Sequence, residues 1–358
     1  MKAFKKINRR HRDAHIASVW AYSIFFPIVE ILSALSIALM VWFGAKEIIM
    51  DTVTIGNLVA FILYINMLFR PIRQLADRFN TLQMGMVASE RVFKLIDNEQ
   101  IVTDGEKEIS RIANQVKFDD LWFAYTEEQW VLRNVSFKVK VGQTLAIVGA
   151  TGAGKSSIIN LISRFYEFQK GSILIDDCDI RDISIESLRS KIGVVLQDVF
   201  LFSDTIHNNI TLNNPAISRE QIIAAAKEVG AHDFIMQLTE NYDYNVHERG
   251  AMLSVGQRQL ISFIRAYVYN PSLLVLDEAT SSIDTETEEV IQKAIAKLTH
   301  NRTSIIIAHR LSTIQRADQI LLLDNGEVKE LGTHNDLLKQ KGLYFNLFEK
   351  QYESEQNA

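Results

Sequence analysis

The stretch Gly149-Ala150-Thr151-Gly152-Ala153-Gly154-Lys155-Ser156 constrains this chain more than any other. An apolar run, Leu145-Ala146-Ile147-Val148, precedes it and reads as a buried strand. Ile158-Ile159-Asn160-Leu161-Ile162 follows it and reads as a helix. Strand, glycine-rich loop, Lys-Ser and helix form the phosphate-cradling P-loop pattern. Glycines let the backbone curl so that several N–H groups converge on one anion. The helix behind them points its positive end at the same anion. Gly149 to Ser157 are therefore assigned to a bound nucleotide, with Lys155 on the β- and γ-phosphates and the Ser156 hydroxyl on Mg²⁺. The bland alternative is a glycine-rich turn with a chance Lys-Ser, and the flanking strand and helix count against it.

At 358 residues the chain has room for two or more domains. Its 38 basic and 43 acidic residues nearly balance, so there is no global pull toward nucleic acid. A lone cysteine, Cys178, excludes an internal disulfide framework and fits a reducing compartment. Mean hydropathy is +0.03 although 23% of residues are charged, so the apolar residues must be concentrated somewhere.

They are concentrated near the start. Residues 16–43 carry a single charge, Glu30. That run exceeds the ~20 residues needed to cross a bilayer core. A second apolar stretch runs from Ile55 to Phe69, with no charge before Arg70. Trp20, Tyr22, Trp42 and Tyr64 sit toward the ends, where amphipathic rings prefer the interface. Ser33, Ala34, Ser36 and Ala38 suit close helix packing. The soluble alternative is a pair of buried core helices, but nothing else in the chain is large enough to wrap them. Lys2, Lys5, Lys6, Arg9, Arg10 and Arg12 precede the first span, and Arg70, Arg73 and Arg78 follow the second. The link between them has Lys46 beside Glu47 and Asp51. The positive-inside rule then puts both ends in the cytoplasm of a multi-pass plasma or inner-membrane protein. An organelle presequence would be serine-rich, which this start is not. Basic residues beside a span face lipid headgroups more often than nucleic acid.

After Pro71 the helical pattern continues to about Asp97, with Leu75, Phe79, Leu82, Met86, Phe93 and Ile96 at three- to four-residue steps. Residues 98–114 are polar, contain Asp104-Gly105 and read as a linker. From Gln115 the chain reads as a soluble α/β domain. Val116–Phe118, Val135–Val139 and Ile173–Ile175 are expected strands, and Ile192–Leu196 a more buried one. Ile222–Val229, Gly256–Tyr269 and Thr287–Leu298 are expected helices. Leu273–Leu276 and Ser304–Ala308 are continuous apolar runs, as in strands of a parallel sheet buried on both faces. The expected architecture is an α/β P-loop NTPase domain over 115–358, preceded by an all-α transmembrane segment of two long helices over 1–97.

Two more groups carry chemistry. The strand Leu273–Leu276 runs into Asp277-Glu278. Asp277 is placed to hold Mg²⁺ through its water shell, and Glu278 to polarise the attacking water as general base. Leu253-Ser254-Val255-Gly256-Gln257 opens a helix. Alone it reads as a helix cap. With a serine and a flexible glycine it is also an anion site.

Taken together, these residues resemble the ATP-binding domain of ATP-binding cassette (ABC) transporters, over about residues 116–350. By that resemblance Ser254, Gly256 and Gln257 belong to the family signature, and Glu278 is the catalytic glutamate. Gln197 is similar to the glutamine that touches Mg²⁺ and faces the membrane domain. Asp284 resembles the aspartate of the following loop, and His309, in Ile307-Ala308-His309-Arg310, the switch histidine. Tyr125 resembles the aromatic that stacks on adenine, so its ring rather than its hydroxyl is expected to matter. Glu248-Arg249-Gly250 resembles the short motif that precedes the signature in exporters. The helix pair, with Pro27 in the first span and Arg70-Pro71-Ile72 leaving the second, is similar to the last two of six membrane helices in an exporter half-transporter.

The resemblance implies ATP and Mg²⁺ as ligands and a head-to-tail pairing with a second such chain, identical or not. It also implies a lipid bilayer as surroundings and ATP-driven export. Whether lipid, drug-like compound or peptide is exported stays open. Four helices of the family pattern are missing upstream, which implies a chain that hydrolyses ATP without transporting by itself. A soluble ABC-type ATPase and a non-transporting fragment are the alternatives.

Overall fold

The computed structural model describes residues 2–97, 102–126, 129–277, 285–308 and 310–356. The chain forms two compact units, residues 1–101 and 102–358.

The first unit is a hairpin of two helices, α1 (Lys2–Ile49) and α2 (Ile55–Ile96). At 1.5 Å per residue they are about 72 Å and 63 Å long. The basic residues before the first span thus continue its helix. Both Pro27 and Pro71 lie inside helices, which hydrocarbon-embedded helices tolerate. The turn is tied by the Thr52 hydroxyl, which donates to the Glu47 carboxylate at 2.6 Å. Thr54 caps α2 by accepting from the Asn57 N–H. Where the helices meet, Gly44 faces Leu58, and a Cβ there would come within 2.5 Å of the leucine Cδ1. Val29 and Ser33 are buried, but Trp42, Leu63, Met67 and most other large apolar side chains of the pair are exposed. Within this unit most apolar side chains are not buried against each other, as in helices that face lipid. Ser23–Ile49 and Ile55–Ile72 are each long and apolar enough to cross a membrane. Polar side chains within them turn back on their own helices: Asn66 donates to the Ile62 carbonyl and Ser36 to that of Leu32. One donor of the Asn66 amide is thus met within its own helix.

The second unit holds two sheets. An antiparallel sheet has the order β2-β1-β4-β5, from β1 (Gln115–Ala124), β2 (Trp130–Lys140), β4 (Lys170–Ile175) and β5 (Cys178–Asp179). A six-stranded sheet has the order β10-β9-β3-β8-β7-β6. It is built from β3 (Thr144–Val148), β6 (Ile192–Val195), β7 (Leu273–Asp277), β8 (Thr303–Ile307), β9 (Gln319–Asp324) and β10 (Glu327–Gly332). All its pairings are parallel except β9 with β10. The helices are α3 (Lys155–Ile162), α4 (Ile185–Lys191), α5 (Ile206–Thr211), α6 (Arg219–Val229) and α7 (His232–Met236), then α8 (Val255–Tyr269) and α9 (Thr285–Thr299). Short α10 (Leu311–Arg316), α11 (His334–Gln340) and α12 (Leu343–Gln356) close the chain.

The continuous apolar runs are explained by the two faces of the larger sheet. Ala146, Val148, Leu274, Leu276 and Ile306 pack with α6, α8 and α9. Their alternates Leu145, Ile147, Leu273, Val275 and Ile305 pack with α3 and the antiparallel sheet. A strand covered on both sides has no polar face to show. β6 departs from expectation. It is an edge strand, half-buried at Gly193 and Val194, and Leu196 lies beyond it, exposed. β9 and β10 are not expected above; they meet at Asn325-Gly326, both left-handed, as a two-residue hairpin turn demands.

Residues 102–114, expected as a linker, form a strap laid along the second unit. The Lys107 N–H donates to the Asp182 carbonyl, and the Ser184 N–H donates to the Lys107 carbonyl. Asp104 accepts from the Ile185 N–H at the start of α4. The Ser187 hydroxyl answers both the N–H and the carbonyl of Ile109. Ile112 is buried. Gly105 runs so close to Asp182 and Ile183 that a Cβ would collide with their backbone. At its end, Asp176 accepts the N–H groups of Ala113, Asn114 and Gln115 at 3.0, 2.7 and 3.0 Å. Burial alone would push the Asp176 carboxyl up, but these three donors hold it below its ordinary value. A lowered pKa means the anion stabilises the fold above the ordinary carboxylate range, and the gain fades as pH falls through and below it. Asp176→Ala is expected to cost about 1–2 kcal/mol at neutral pH. Thermal melts of the two proteins from pH 7 down to about pH 3 should converge. A constant gap would mean the charge is not what holds the strap.

Candidate nucleotide site

The P-loop begins where β3 ends, at the carboxyl edge of the parallel strands. Gly149, Gly152 and Gly154 have φ of 151°, 85° and 101°, values that side chains resist. Space matters as much at two of them. A Cβ on Gly149 would strike the Leu323 carbonyl of β9, and one on Gly154 would meet Leu132 and the Val131 carbonyl of β2. Ala150, Thr151 and Ala153 complete the loop, with the Ala153 N–H donating to the Ala150 carbonyl. α3 then starts at Lys155 with Gly154 as its cap and no side chain over its first N–H groups. The Ser157 N–H donates to the Gly154 carbonyl, and the donors ahead of it are left for an anion.

Lys155 is buried, and its Nζ donates to the carbonyls of Gly149 and Ala150 at 2.8 and 3.0 Å. Burial pushes its ammonium below the ordinary range, and the Asp277 carboxylate opposes that. The Ser156 hydroxyl donates to Asp277 Oδ2 at 3.4 Å. A hydroxyl and a carboxylate converging beside a phosphate cradle are hard oxygen donors, which fits Mg²⁺. Among the described residues no cluster of three or more His, Cys, Asp or Glu could hold a metal by itself.

Tyr125, just past β1, is half-exposed, and its hydroxyl contacts the Ser157 Oγ at 3.1 Å and accepts from Asn160 Nδ2 at 3.1 Å. Its ring stands edge-on to Phe123 and to Tyr166, with centroids 4.6 and 4.9 Å apart. Asn160 and Tyr166 are missed in the sequence. The available signal is the i, i+3 spacing of Ser157 and Asn160 on one face of α3. Gln197 is exposed two residues beyond β6, at the same sheet edge as Asp277, since β6 and β7 pair in parallel. Ser254 and Gln257 are bonded to each other in a reciprocal capping box at the start of α8, where Gly256 is buried. Their described bonds do not reach the P-loop. Glu278, Asp284 and His309 lie outside the described residues.

The sequence pattern described as ABC transporter matches residues 132–281, and that described as ABC transporter transmembrane region matches residues 1–72. An uncharacterized ABC transporter ATP-binding protein of Bacillus subtilis, YknV, is 44% identical over 354 residues, covering 98% of this chain and 59% of the relative. An ATP-dependent lipid A-core flippase of Escherichia coli is 40% identical over 353 residues, covering 98% of this chain and 61% of the flippase. A solved bacterial Atm1-family ABC exporter with ATP bound superposes with a TM-score of 0.69 at 37% identity, over 96% of this chain and 61% of that one. The chain thus spans about three fifths of the length of these relatives.

The bonds of Tyr125 change one expectation. If only its ring mattered, Tyr125→Phe would be silent. With the hydroxyl bonded to α3, loss of those bonds is expected to weaken nucleotide binding by roughly 1 kcal/mol, or about five-fold. Tyr125→Ala is expected to weaken it by about 1–3 kcal/mol if the ring stacks on the base. Titration with a fluorescent ATP analogue separates the two, and a Phe variant equal to wild type would show that the hydroxyl bonds do nothing.

Proposed function

The chain belongs to the ABC transporter family, and we propose that its second unit binds and hydrolyses MgATP to drive export across the membrane that holds the first. The observation that carries this reading is the meeting of the P-loop, Lys155 and the Ser156–Asp277 pair at one sheet edge. Lys155 and the free N–H groups of α3 neutralise the phosphates. Ser156, Asp277 and Gln197 would hold Mg²⁺, which when bound screens the charge that builds on the β- and γ-phosphates. Tyr125 supports the base. Glu278 takes a proton from the water that attacks the γ-phosphorus, and ADP is the leaving group. His309 and Asp284 complete the site in the family manner.

Ser254, Gly256 and Gln257 are read as serving the phosphate of a second chain. Their capping box leaves the first N–H groups of α8 at a helix N-terminus that an anion from outside can use. A head-to-tail pair, of like or unlike chains, would then close on two ATP molecules. The membrane is read as the plasma or inner membrane, with both chain ends cytoplasmic. The cargo is read as a lipid, drug-like compound or peptide, with a lipid favoured by the flippase relative.

Lys155→Ala tests binding. Loss of a charged hydrogen bond to phosphate, worth about 1.5–3 kcal/mol, should weaken ATP roughly 10- to 100-fold. Unchanged affinity in a titration would remove the P-loop assignment. Glu278→Gln keeps the shape of the side chain and loses the base. It should leave ATP binding intact and slow phosphate release by a factor of about 10²–10⁴. Hydrolysis at the wild-type rate would move the base to another residue, with His309 the next candidate.

A further inference from the structure

One buried cation has no part in that chemistry. Arg164 is only 1% exposed, two residues beyond Ile162 at the end of α3, with a φ of 48°. A guanidinium buried this deeply must have its donors answered. Its Nη2 donates to the Thr103 carbonyl at 2.6 Å and to Glu167 at 2.8 Å. Its Nη1 donates to the carbonyls of Ile180 and Ile183 at 3.1 and 3.2 Å. Arg189 of α4 fixes the same corner from behind, donating to the carbonyls of Ser163 and Arg164 at 3.0 and 2.8 Å. One side chain therefore joins the rear of the P-loop helix, the connection between β5 and α4, and the strap.

We propose that Arg164 is a positioning residue that couples the nucleotide site to the strap, and through it to the chain leading from α2. The inference rests on the ATP-binding reading. α3 is a rigid eight-residue helix. Its front carries Lys155 and Ser156, and its rear is about 12 Å away. A displacement forced at the phosphate end arrives at Arg164 with little loss. A planar fork bonded to carbonyls on separate segments cannot slide without leaving a buried donor unanswered, so it transmits rather than absorbs. The strap is held at Thr103 by this side chain, and from Asp104 to Gln115 by other bonds to residues distant in sequence. Coupling is reciprocal: if nucleotide tightens the strap, the docked strap must tighten nucleotide by the same factor.

Hydrogen exchange on the full chain, with and without the β,γ-imido analogue of ATP, reads both directions. In wild type, saturating analogue should change exchange at strap amides 103–109 by at least about five-fold, an ordinary coupling strength. Arg164→Met should abolish that response and weaken the analogue by a matching factor. Arg164→Lys, able to reach part of the carbonyl set, should restore part of both. Asp176→Asn is the control. It loosens the other end of the strap and should leave analogue binding and the response at 103–109 unchanged. A wild-type strap that ignores analogue whose binding is confirmed by titration overturns the proposal, whatever the variants do. So does a folded Arg164→Met protein that keeps wild-type affinity and response. So does an Asp176→Asn protein with the same losses as Arg164→Met, since the link would then be general strap stability. Titration showing no binding at all would sink the ATP-binding reading first, and this inference with it.

Discussion

A polyphosphate can be held tightly only where backbone N–H groups converge with nothing between them and the anion. The rest of the second unit is arranged around meeting that condition once. Gly149 must pass against the Leu323 carbonyl, and Gly154 against Leu132. Those neighbours come from β9 and β2, one in each sheet. The loop is therefore shaped by tertiary contacts on two sides as well as by its own glycines. A loop so confined cannot drift to fit a ligand, which lowers the ordering cost of binding. The double-sided burial of β3 keeps this anchorage firm. Ala146 and Val148 are locked into the helical layer, and Leu145 and Ile147 into the layer of the antiparallel sheet.

The strap follows from the same concern with rigidity. Backbone that leaves a helix and crosses to another domain has polar groups to satisfy. Here they are satisfied by side chains far away in sequence. Arg164 reaches Thr103 across 61 residues, and Ser187 reaches Ile109 across 78. Each bond alone is modest. Spread over a dozen residues they convert a polar linker into part of the fold, so motion in the chain before Val102 meets a fixed end instead of slack.

How much of this is legible in the sequence depends on whether the signal is local. The glycine-rich loop between strand and helix, the strand that ends at Asp277, the helix cap at Ser254 and the two long apolar helices rest on spacing within a few residues, and these elements stand where they are read, while Glu278 lies outside the described residues. The strap is not legible, because nothing near Thr103 or Ala113 announces Arg164 or Asp176 as a partner. β6 is read as more buried than it is because Val194 looks like core, whereas strand order makes it an edge on which only Ile192 and Val195 are buried. The bonds of the Tyr125 hydroxyl go unseen for a related reason. Stacking is a property of the ring and can be assigned from residue type, but bonds to Ser157 and Asn160 exist only because β1 ends over α3. The turn at Asn325-Gly326 is a different case, a local signal that was present and passed over.

Strand order also explains why the metal pair can form. β3, which leads to Ser156, and β7, which ends at Asp277, are not neighbours; β8 lies between them. Two strand spacings are about 9.5 Å, too far for a hydroxyl to meet a carboxylate directly. The loop between β3 and α3 spans that gap, since Ser156 at the start of α3 stands 3.4 Å from Asp277. Were β3 and β7 adjacent, the same loop would overshoot. The intervening strand thus sets the span the P-loop must cross. It also ends at Ile307, paired with Asp277 on one side and with Ile147 on the other. Ala308, which follows, donates its N–H to the Ile147 carbonyl. The end of β8 therefore lies between the strand that leads to the phosphate cradle and the strand that carries the carboxylate.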